Sequence, residues 1–265
     1  MDKLKDLLKT SKQLLDEKKQ HRSIGKLHDS NIVNIVNNLN NKGYHILENY
    51  ISSEMVSVLK NEVDRLFKDY KNFAWSDSED SDHRIHGSQR GSKLIAQFNK
   101  DDFLQLICDA FLGHSAFPFS TLSARLYSQK NSLGSGGGWH RDTPYESKQF
   151  KAILYLTDVG MENGPFQYVD GTQNEISLYR NIWKHNIKYG QHRFEDDEVE
   201  KILKDKYYGL TTFPGTAGTL LLVNTFGLHR GMPIKSGTRY ALTNYYYKKA
   251  EFNTQHFEKK FNLIK

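Results

Sequence analysis

Residues 136–145 read GGGWHRDTPY and place two potential metal ligands directly after a run of glycines. His140 and Asp142 are two positions apart, and alternate residues of a β-strand point to the same side of the sheet. Both side chains can therefore reach one ion, while Arg141 faces away from it or toward a substrate. Because a His-x-Asp triplet often arises by chance, the pair needs a third ligand before it indicates a metal site.

A third candidate ligand, His229, follows an apolar run late in the chain, within the stretch TLLLVNTFGLHRG. Two imidazoles and one carboxylate on one face of an ion form the ligand set of non-haem Fe(II) oxygenases, and they leave positions open for a cosubstrate and O₂. His140, Asp142 and His229 together therefore predict a catalytic iron centre carried on strands.

Arg239 lies ten residues beyond His229, at the start of the next predicted strand. A guanidinium binds a carboxylate through two parallel hydrogen bonds and stays charged at any working pH. We therefore expect Arg239 to hold the distal carboxylate of a 2-oxo acid, whose other end would chelate the iron. A surface salt bridge is the alternative role for an isolated arginine.

Further polar residues lie on or near the strands that should border the metal, and for each of them ordinary sheet packing is an equal alternative. Those predicted to contact the cosubstrate are Tyr127, Gln129 and Thr157. Those predicted to contact the substrate are Trp139, Arg141 and Gln167. The preceding run NSLGSGGG predicts sharp turns that bring the chain over the mouth of a barrel, with a purely flexible loop as the alternative.

The elements that must position these residues differ between the two halves of the chain. After residue 115, short β-branched and aromatic runs are separated by Gly, Pro, Asn and Asp, which is typical of an all-β sandwich or barrel. Before it, helical spacing predicts a helix that starts at residues 29–30 and ends at Gly43, and another that starts at residues 52–53. The sequence therefore predicts one mainly β domain, residues 26–265, with a helical N-terminal layer.

Two segments outside this plan have less certain roles. Residues 1–25 carry leucines at helical spacing and predict an amphipathic helix that packs on the domain or on a second subunit, giving a homo-oligomer, or that lies on a membrane surface. Residues 175–207 predict an insertion of helices and loops, a candidate lid. Its basic residues would grip an anionic handle of the substrate unless they only form a solvated face: Arg180, Lys184, Lys188, His192 and Arg193.

Residues 76–100 are polar and irregular, and they predict a flexible loop over the site. His83 and His86 lie three positions apart in this segment, a spacing that can chelate a metal on a helix. The segment has little helical pattern, so the role of the two histidines stays open.

Composition excludes several classes of protein. The 265 residues include one cysteine, Cys108, so internal disulfides and thiolate clusters are ruled out. No apolar run approaches the length of a membrane span, and the N-terminus has no secretory h-region, which favours the cytoplasm. A net charge of +6 is compatible with an anionic substrate, whereas no RNP, zinc-finger or helix-turn-helix pattern indicates a nucleic-acid partner.

From about residue 40 to 248 the chain resembles the phytanoyl-CoA dioxygenase-like family of Fe(II)/2-oxoglutarate-dependent oxygenases. KGYHILENYISSEMVSVLKNEVDRL is similar to the N-terminal strand and helix of that family. WHRDTPY with AILYLTDVGMENGPFQYVDGT is similar to its His-x-Asp segment and following hairpin, and FPGTAGTLLLVNTFGLHRG with GTR is similar to its closing His and Arg. The motifs are specific together, although each alone is not.

The resemblance implies a double-stranded β-helix core, the jelly-roll or cupin-like fold. It implies iron ligation by His140, Asp142 and His229, and 2-oxoglutarate binding by Arg239. VDGTQN stands where relatives often have Pro-Gly-Ser-His, which leaves the substrate class open. Related halogenases lack the carboxylate ligand, so the retained Asp142 favours hydroxylation.

The predicted function is therefore a 2-oxoglutarate-dependent dioxygenase with Fe(II), 2-oxoglutarate and O₂, which hydroxylates a C–H bond and releases succinate and CO₂. The predicted substrate is a small anionic metabolite, phosphorylated or linked to a nucleotide, a sugar or CoA. A protein or peptide hydroxylase that uses the 76–100 segment, and a catalytically silent jelly-roll binding protein, are the alternatives.

Overall fold

The computed structural model describes residues 29–113, 116–142, 149–248, 255, 258 and 261–264. Its α-helices are α1 (Ser30–Asn41), α2 (Ser53–Asp69), α3 (Ser88–Gly91), α4 (Lys93–Asn99), α5 (Asp102–Leu112), α6 (Glu175–Lys184) and α7 (Asp196–Leu203). Its strands are β1 (Tyr44–Leu47), β2 (Ala74–Ser76), β3 (Asp82–His86), β4 (Ala116–Tyr127), β5 (Trp139–His140), β6 (Phe150–Tyr155), β7 (Phe166–Asp170), β8 (Arg193–Phe194), β9 (Gly209–Phe213), β10 (Leu220–Asn224), β11 (His229–Gly231) and β12 (Thr238–Lys248). Short 3₁₀ turns lie at Lys71–Phe73 and Met161–Asn163.

The predicted N-terminal helices are confirmed, and their ends follow from local chemistry. The Asp29 carboxylate accepts the Asn31 amide hydrogen at 2.9 Å and caps α1, because the first amides of a helix have no partner inside it. Gly43 follows the end of this helix with φ of 93°, a left-handed conformation that glycine adopts at little cost. The Ser52 hydroxyl caps α2 by accepting from the Met55 amide.

The strands form two antiparallel sheets. The major sheet has seven strands in the order β1-β10-β6-β12-β4-β3-β2, and the minor sheet has five in the order β8-β5-β11-β7-β9. Neighbours along these orders are mostly far apart in the chain, as expected for a jelly roll, in which successive strands alternate between two facing sheets. The predicted mainly β fold with a helical N-terminal layer is confirmed.

Alternation along the major sheet separates a packed face from a cavity face. Phe150, Ala152 and Leu154 on β6 are buried together with residues of α1, α2, α4 and α5, so the helices cover the outer face. Cys108 on α5 belongs to this core, as a small buried residue. The intervening side chains of β6, such as Lys151, face the minor sheet and line a cavity between the two sheets.

The prediction of a flexible loop over residues 76–100 is wrong. Residues 82–86 form β3, which pairs with β4 in the major sheet, and α3 and α4 follow. The pattern was hidden because the strand carries an ion pair between buried Asp82 and half-buried Arg84. The strand was not recognised from the sequence, because polar side chains that pair with each other occupy positions where apolar residues would have indicated a strand.

The 175–207 insertion packs on the outer face of the minor sheet. Val199 and Ile202 of α7 and Phe194 of β8 form one buried cluster with Trp139 and Leu228. The last two residues directly precede His140 and His229, so the insertion supports the strands that hold both histidines. The lid role predicted for the whole segment is thereby restricted to its residues that reach the cavity.

The predictions about residues 1–25, the domain boundary and the cellular location stay predictions. The proposed amphipathic helix, residues 1–25, and its role in a homo-oligomer lie outside the described residues, and the boundary at residue 26 and the cytoplasmic location stay predictions. Across the described ranges, every helix is too short or too polar to cross a lipid bilayer.

Candidate active site

His140 and His229 are direct cross-strand neighbours in the minor sheet. β5 and β11 are antiparallel with His229 opposite His140, and the centroids of the two imidazole rings are 4.3 Å apart. Asp142 lies two residues beyond β5, and its carboxylate oxygens are 3.6 Å from His140 Nε2 and 3.9 Å from His229 Nε2. The three ligand atoms lie within 4.8 Å of one another, which is close enough to hold one metal ion.

Backbone carbonyls orient both imidazoles. His140 Nδ1 donates to the Gly138 carbonyl at 2.9 Å, and His229 Nδ1 donates to the Gly227 carbonyl at the same distance. Each bond assigns the ring proton to Nδ1, so the Nε2 lone pairs are free and point toward Asp142. Such hydrogen bonds to the second ring nitrogen are usual for metal-binding histidines, because they fix the tautomer and the ring plane.

The protonation states suit metal binding. Burial lowers the pKa of His140 well below its ordinary value and lowers the pKa of His229 to about 4. Burial alone would raise the pKa of Asp142, but the neighbouring Lys151 ammonium and the two histidines bring it well below its usual range. At neutral pH the site therefore presents two neutral imidazoles and one carboxylate, the forms that bind a metal without releasing protons.

Lys151 is a residue of the site that the sequence analysis missed. It is 7% exposed, its ammonium lies 2.5 Å from Asp142 Oδ2, and it stacks 4.4 Å from the centroid of the Tyr245 ring. In the stretch FKAILYL, the lysine was the feature that could have indicated a site residue. On a strand buried on both faces, a charged residue in phase with Ile153 and Tyr155 must face an interior partner.

Arg239 is buried without an anionic partner. Its side chain faces the cavity from β12 and is 4% exposed, and no carboxylate of the described residues forms an ion pair with it. The guanidinium lies against Gly231 of β11, where a Cβ atom would be 2.8 Å from Nη2. Since an unpaired buried charge is costly, this arrangement favours an anionic ligand between Arg239 and the three metal-site residues.

The cavity between the sheets has a volume of about 370 Å³. The three metal-site residues, Arg239 and Lys151 all line it. Its other walls include Leu126, Ile153, Tyr155, Phe166, Ala241, Thr243, Tyr245 and Tyr247. A concave pocket in which apolar walls surround converging polar groups is the usual form of a small-molecule site.

The glycines before His140 make close approach possible. Gly136 has φ of 88°, and a Cβ atom there would lie 2.3 Å from Cε1 of His140. Gly138 has φ of 84°, but a Cβ atom there would meet no atom within 4 Å. The glycine run therefore turns tightly enough to pack its backbone against the imidazole, and Gly136 is the position where that contact excludes a side chain.

Comparison with known proteins agrees with this geometry. The sequence model of the family described as phytanoyl-CoA dioxygenase (PhyH) matches residues 39–240, a range that contains the three metal-site residues and Arg239. The chain belongs to the phytanoyl-CoA dioxygenase family. It is accordingly a non-haem iron enzyme that uses 2-oxoglutarate. No curated protein matches the sequence.

Solved structures similar to this PhyH-family chain share its fold at low identity. The epimerase SnoN in complex with Fe³⁺, 2-oxoglutarate and nogalamycin RO has a TM-score of 0.63 at 14% identity, over 83% of this chain and 84% of SnoN. HygX from Streptomyces hygroscopicus with nickel and 2-oxoglutarate has a TM-score of 0.58 at 16% identity, over 82% and 87%. EctD from S. alaskensis with bound Fe has a TM-score of 0.63 at 14% identity, over 80% and 74%.

The residues predicted to contact the substrate are placed differently from one another. Arg141 lines the cavity, but its guanidinium donates to the carbonyls of Thr172 and Phe226. Trp139 is buried under Arg230 on the outer face of the minor sheet. Gln167 faces the same way and exchanges hydrogen bonds with Arg230 and Thr212. Their roles toward substrate stay predictions, which these partners do not favour.

The additional residues predicted to contact the cosubstrate lie outside the cavity lining. Tyr127 packs its ring against His83, with ring centroids 5.2 Å apart. The Thr157 hydroxyl accepts a hydrogen bond from the Tyr240 amide at 3.2 Å, which joins the ends of β6 and β12. Gln129 is exposed in the loop after β4. Their cosubstrate contacts also stay predictions, and the geometry gives them structural roles instead.

His83 and His86 do not approach the metal-site residues. His83 Nε2 lies 2.9 Å from Asp80, and His86 is buried with its ring 4.6 Å from that of Phe261. Among the described residues, the cluster of His140, Asp142 and His229 is the one that could hold a metal.

Replacing Gly136 with alanine is expected to weaken metal binding by about 10- to 100-fold, because the new methyl group would push the His140 ring away from Asp142. Gly138→Ala is the matched control, since it imposes the same left-handed strain without meeting the imidazole. Calorimetric titration of the apoprotein with Fe(II) under nitrogen would compare the two variants. Equal losses in both would contradict the assigned contact.

Lowering the pH is expected to destabilise the metal-free protein through its buried histidines. Burial lowers the pKa of His86 to about 3 and that of His229 to about 4, and also lowers the pKa of His140. Below the ordinary pKa of histidine, the unfolded chain therefore binds more protons than the folded protein. The free energy of unfolding decreases as the pH is lowered, by about 1 kcal/mol per histidine between pH 6.5 and 5.5.

Urea denaturation at pH 7.5, 6.5 and 5.5 would measure this dependence. His86→Phe should reduce its slope by about one quarter to one third, because it removes one of four histidines with a lowered pKa, of which His45 is the least buried. His192→Gln is the control, since His192 is exposed. An unfolding free energy that stays constant over this range would show that the histidines are not held neutral.

Proposed function

We propose that this PhyH-family enzyme hydroxylates a C–H bond of a small anionic metabolite, with iron held by His140, Asp142 and His229 and 2-oxoglutarate held by Arg239. The observation that carries the proposal is the buried, unpaired guanidinium of Arg239 beside three converged metal-site side chains. A dicarboxylate that bridges the two features would satisfy both.

The spacing along β11 supports this arrangement. The guanidinium lies against Gly231, two residues beyond His229 and therefore about 7 Å from it along the strand. A five-carbon 2-oxo diacid can span such a distance, with its distal carboxylate on Arg239. Tyr155 lies near the guanidinium, and its hydroxyl is held by the Phe213 carbonyl and the Phe166 amide. The hydrogen bonds of Tyr155 therefore fix the Arg239 end of the cavity before 2-oxoglutarate binds.

Iron and 2-oxoglutarate would supply the activation of O₂ and the oxidative decarboxylation to succinate and CO₂. The protein's own contribution is orientation and exclusion of water. Two fixed Nε2 atoms and one carboxylate occupy a single side of the site, which leaves the other side for the reacting molecules. Ile153, Phe166 and Leu126 give the surrounding wall its apolar character. Because Asp142 keeps the third protein position, no place is freed for a halide, and hydroxylation is favoured.

The alternatives have less support. The peptide-hydroxylase reading relied on a flexible 76–100 segment, and residues 82–86 instead form a strand inside the major sheet. A silent binding protein would have no need to hold two imidazoles in one tautomer beside an ionised carboxylate. A cavity of about 370 Å³ between the two sheets suits a small molecule better than a polypeptide.

Arg239→Gln is expected to raise the dissociation constant for 2-oxoglutarate by about 100- to 1000-fold, because a buried charge pair is lost, while Fe(II) binding stays close to that of the wild type. The measurement is anaerobic titration of the Fe(II) protein with 2-oxoglutarate, followed by the visible charge-transfer band of the chelate. Succinate release against a metabolite library would then report turnover.

Two controls make this test specific. Arg230→Gln removes an arginine on the outer face of the minor sheet and should leave the titration unchanged. Asp142→Ala should abolish the band by removing a metal ligand. If Arg239→Gln binds 2-oxoglutarate as tightly as the wild type, or Asp142→Ala keeps its iron and turnover, the proposed function is wrong.

A further inference from the structure

We propose that Lys151 forms an oxyanion-binding subsite for the primary substrate, at the end of the cavity opposite Arg239. This inference rests on the proposed function, because it assumes that iron and 2-oxoglutarate occupy the site. It places the anionic group of the substrate beside the metal-binding carboxylate, and not at the basic residues of the 175–207 insertion.

The register of the minor sheet places the two cations on opposite sides of the histidine pair. β5 and β11 run antiparallel through the pair His140 and His229, so Asp142, two residues after His140, and Gly231, two residues after His229, lie in opposite directions. Arg239 contacts the Gly231 side and Lys151 contacts Asp142. The order along the cavity is therefore Arg239, the histidines, Asp142 and Lys151.

The major sheet gives the same order independently. Arg239 and Tyr245 both face the cavity from β12, six residues apart, which is about 20 Å along the strand. Lys151 on β6 is the direct partner of Tyr245. A diacid that extends from Arg239 to the metal would therefore leave the Lys151 end of the cavity to the second reactant.

Charge also distinguishes Lys151. Fe(II), the Asp142 carboxylate and the 2-oxoglutarate dianion would sum to one negative charge, which Arg239 offsets. Arg84, another cation of the cavity wall, is already paired with Asp82 through two contacts of 2.9 and 2.5 Å. Lys151 then adds a buried positive charge beside the metal-binding carboxylate that this sum does not offset, and a buried charge of this kind calls for a counter-ion.

The ammonium has donors to spare. It carries three N–H groups, and at most one can point to Asp142 Oδ2. Its other contact is the face of the Tyr245 ring, which accepts no conventional hydrogen bond. Over the described parts of the chain, no further acceptor contacts it. With respect to the described residues, two donors therefore remain for an oxygen of a ligand in the cavity.

A second cavity lies beside the inner one. This outer cavity of about 570 Å³ shares Arg84, Gly136, Arg193 and Phe261 with the inner one, so the two are adjacent. Of the five basic residues of the insertion, His192 and Arg193 line the inner cavity, and Arg193 donates to the carbonyls of Gly136 and Gly137.

The other basic residues of the insertion do not favour an anion site there. Arg180 stacks 3.9 Å from the Tyr207 ring centroid, and Lys184 pairs with Asp205 at 2.9 Å. These partners hold both cations on the outside of the minor sheet. An anionic group of a molecule at the Asp142 end of the cavity therefore lies beside the ammonium donors of Lys151.

The test compares butyrate, butyl phosphate and butyramide as probes of one chain length with different head groups. Each is titrated by calorimetry into the anaerobic Fe(II)–2-oxoglutarate complex of the full chain. We expect one of the two anions to bind at least about tenfold more tightly than the amide. Lys151→Met should abolish that preference while keeping Fe(II) and 2-oxoglutarate binding, and Lys151→Arg should restore much of it.

Lys188→Met is the matched control, because Lys188 is an exposed lysine of the insertion and its loss should change nothing. The inference is overturned if the amide binds as well as both anions, if Lys151→Met keeps the preference, or if Lys151→Met loses its iron, which would assign the lysine to Asp142 alone. Failure of the wild-type protein to form the Fe(II)–2-oxoglutarate band would instead refute the proposed function.

Discussion

The pairing of β5 with β11 is the constraint on which the site depends. It sets His140 opposite His229, and antiparallel geometry brings such pairs within about 5 Å without further adjustment. The outer face of these strands is filled by Trp139 and Leu228 with the insertion helices, so the strands cannot rotate without exposing a core. Sheet packing thus sets the positions of the two histidines, and Asp142, two residues beyond β5, completes the ligand set.

Much of the fold and the metal site could be predicted from the sequence. The apolar and aromatic runs after residue 115 identified the β fold, and the caps at Asp29 and Ser52 located the first helices. His140 and Asp142 were recognised because two-residue spacing on a strand has a single geometric meaning. His229 and Arg239 were proposed from their residue types and their positions beside predicted strands, and the family resemblance then supported them, since no local rule connects them to a motif ninety residues earlier.

What the sequence could not reveal depends on long-range pairing. Lys151 looked like an ordinary polar residue of a strand, because its contact with Asp142 depends on how β6 lies against the minor sheet. The strand β3 was hidden for the same reason, as Asp82 and Arg84 neutralise each other inside the protein. The sequence also did not show that Trp139 and Gln167 have Arg230 as their partner on the outer face of the minor sheet. The alternation of side chains along a strand defines its two faces, but it does not show which face lines the cavity.

The distance in sequence between the two paired histidines has a consequence for how the protein is made. On the ribosome, residue 140 emerges long before residue 229, and the pairing of β5 with β11 cannot form until both strands have been synthesised. Metal capture must therefore follow synthesis of most of the polypeptide, because the unfinished chain offers only a two-ligand fragment. Iron binding is then a late step in the maturation of this enzyme. A chain truncated before β11 would lack His229 and would not form the metal centre.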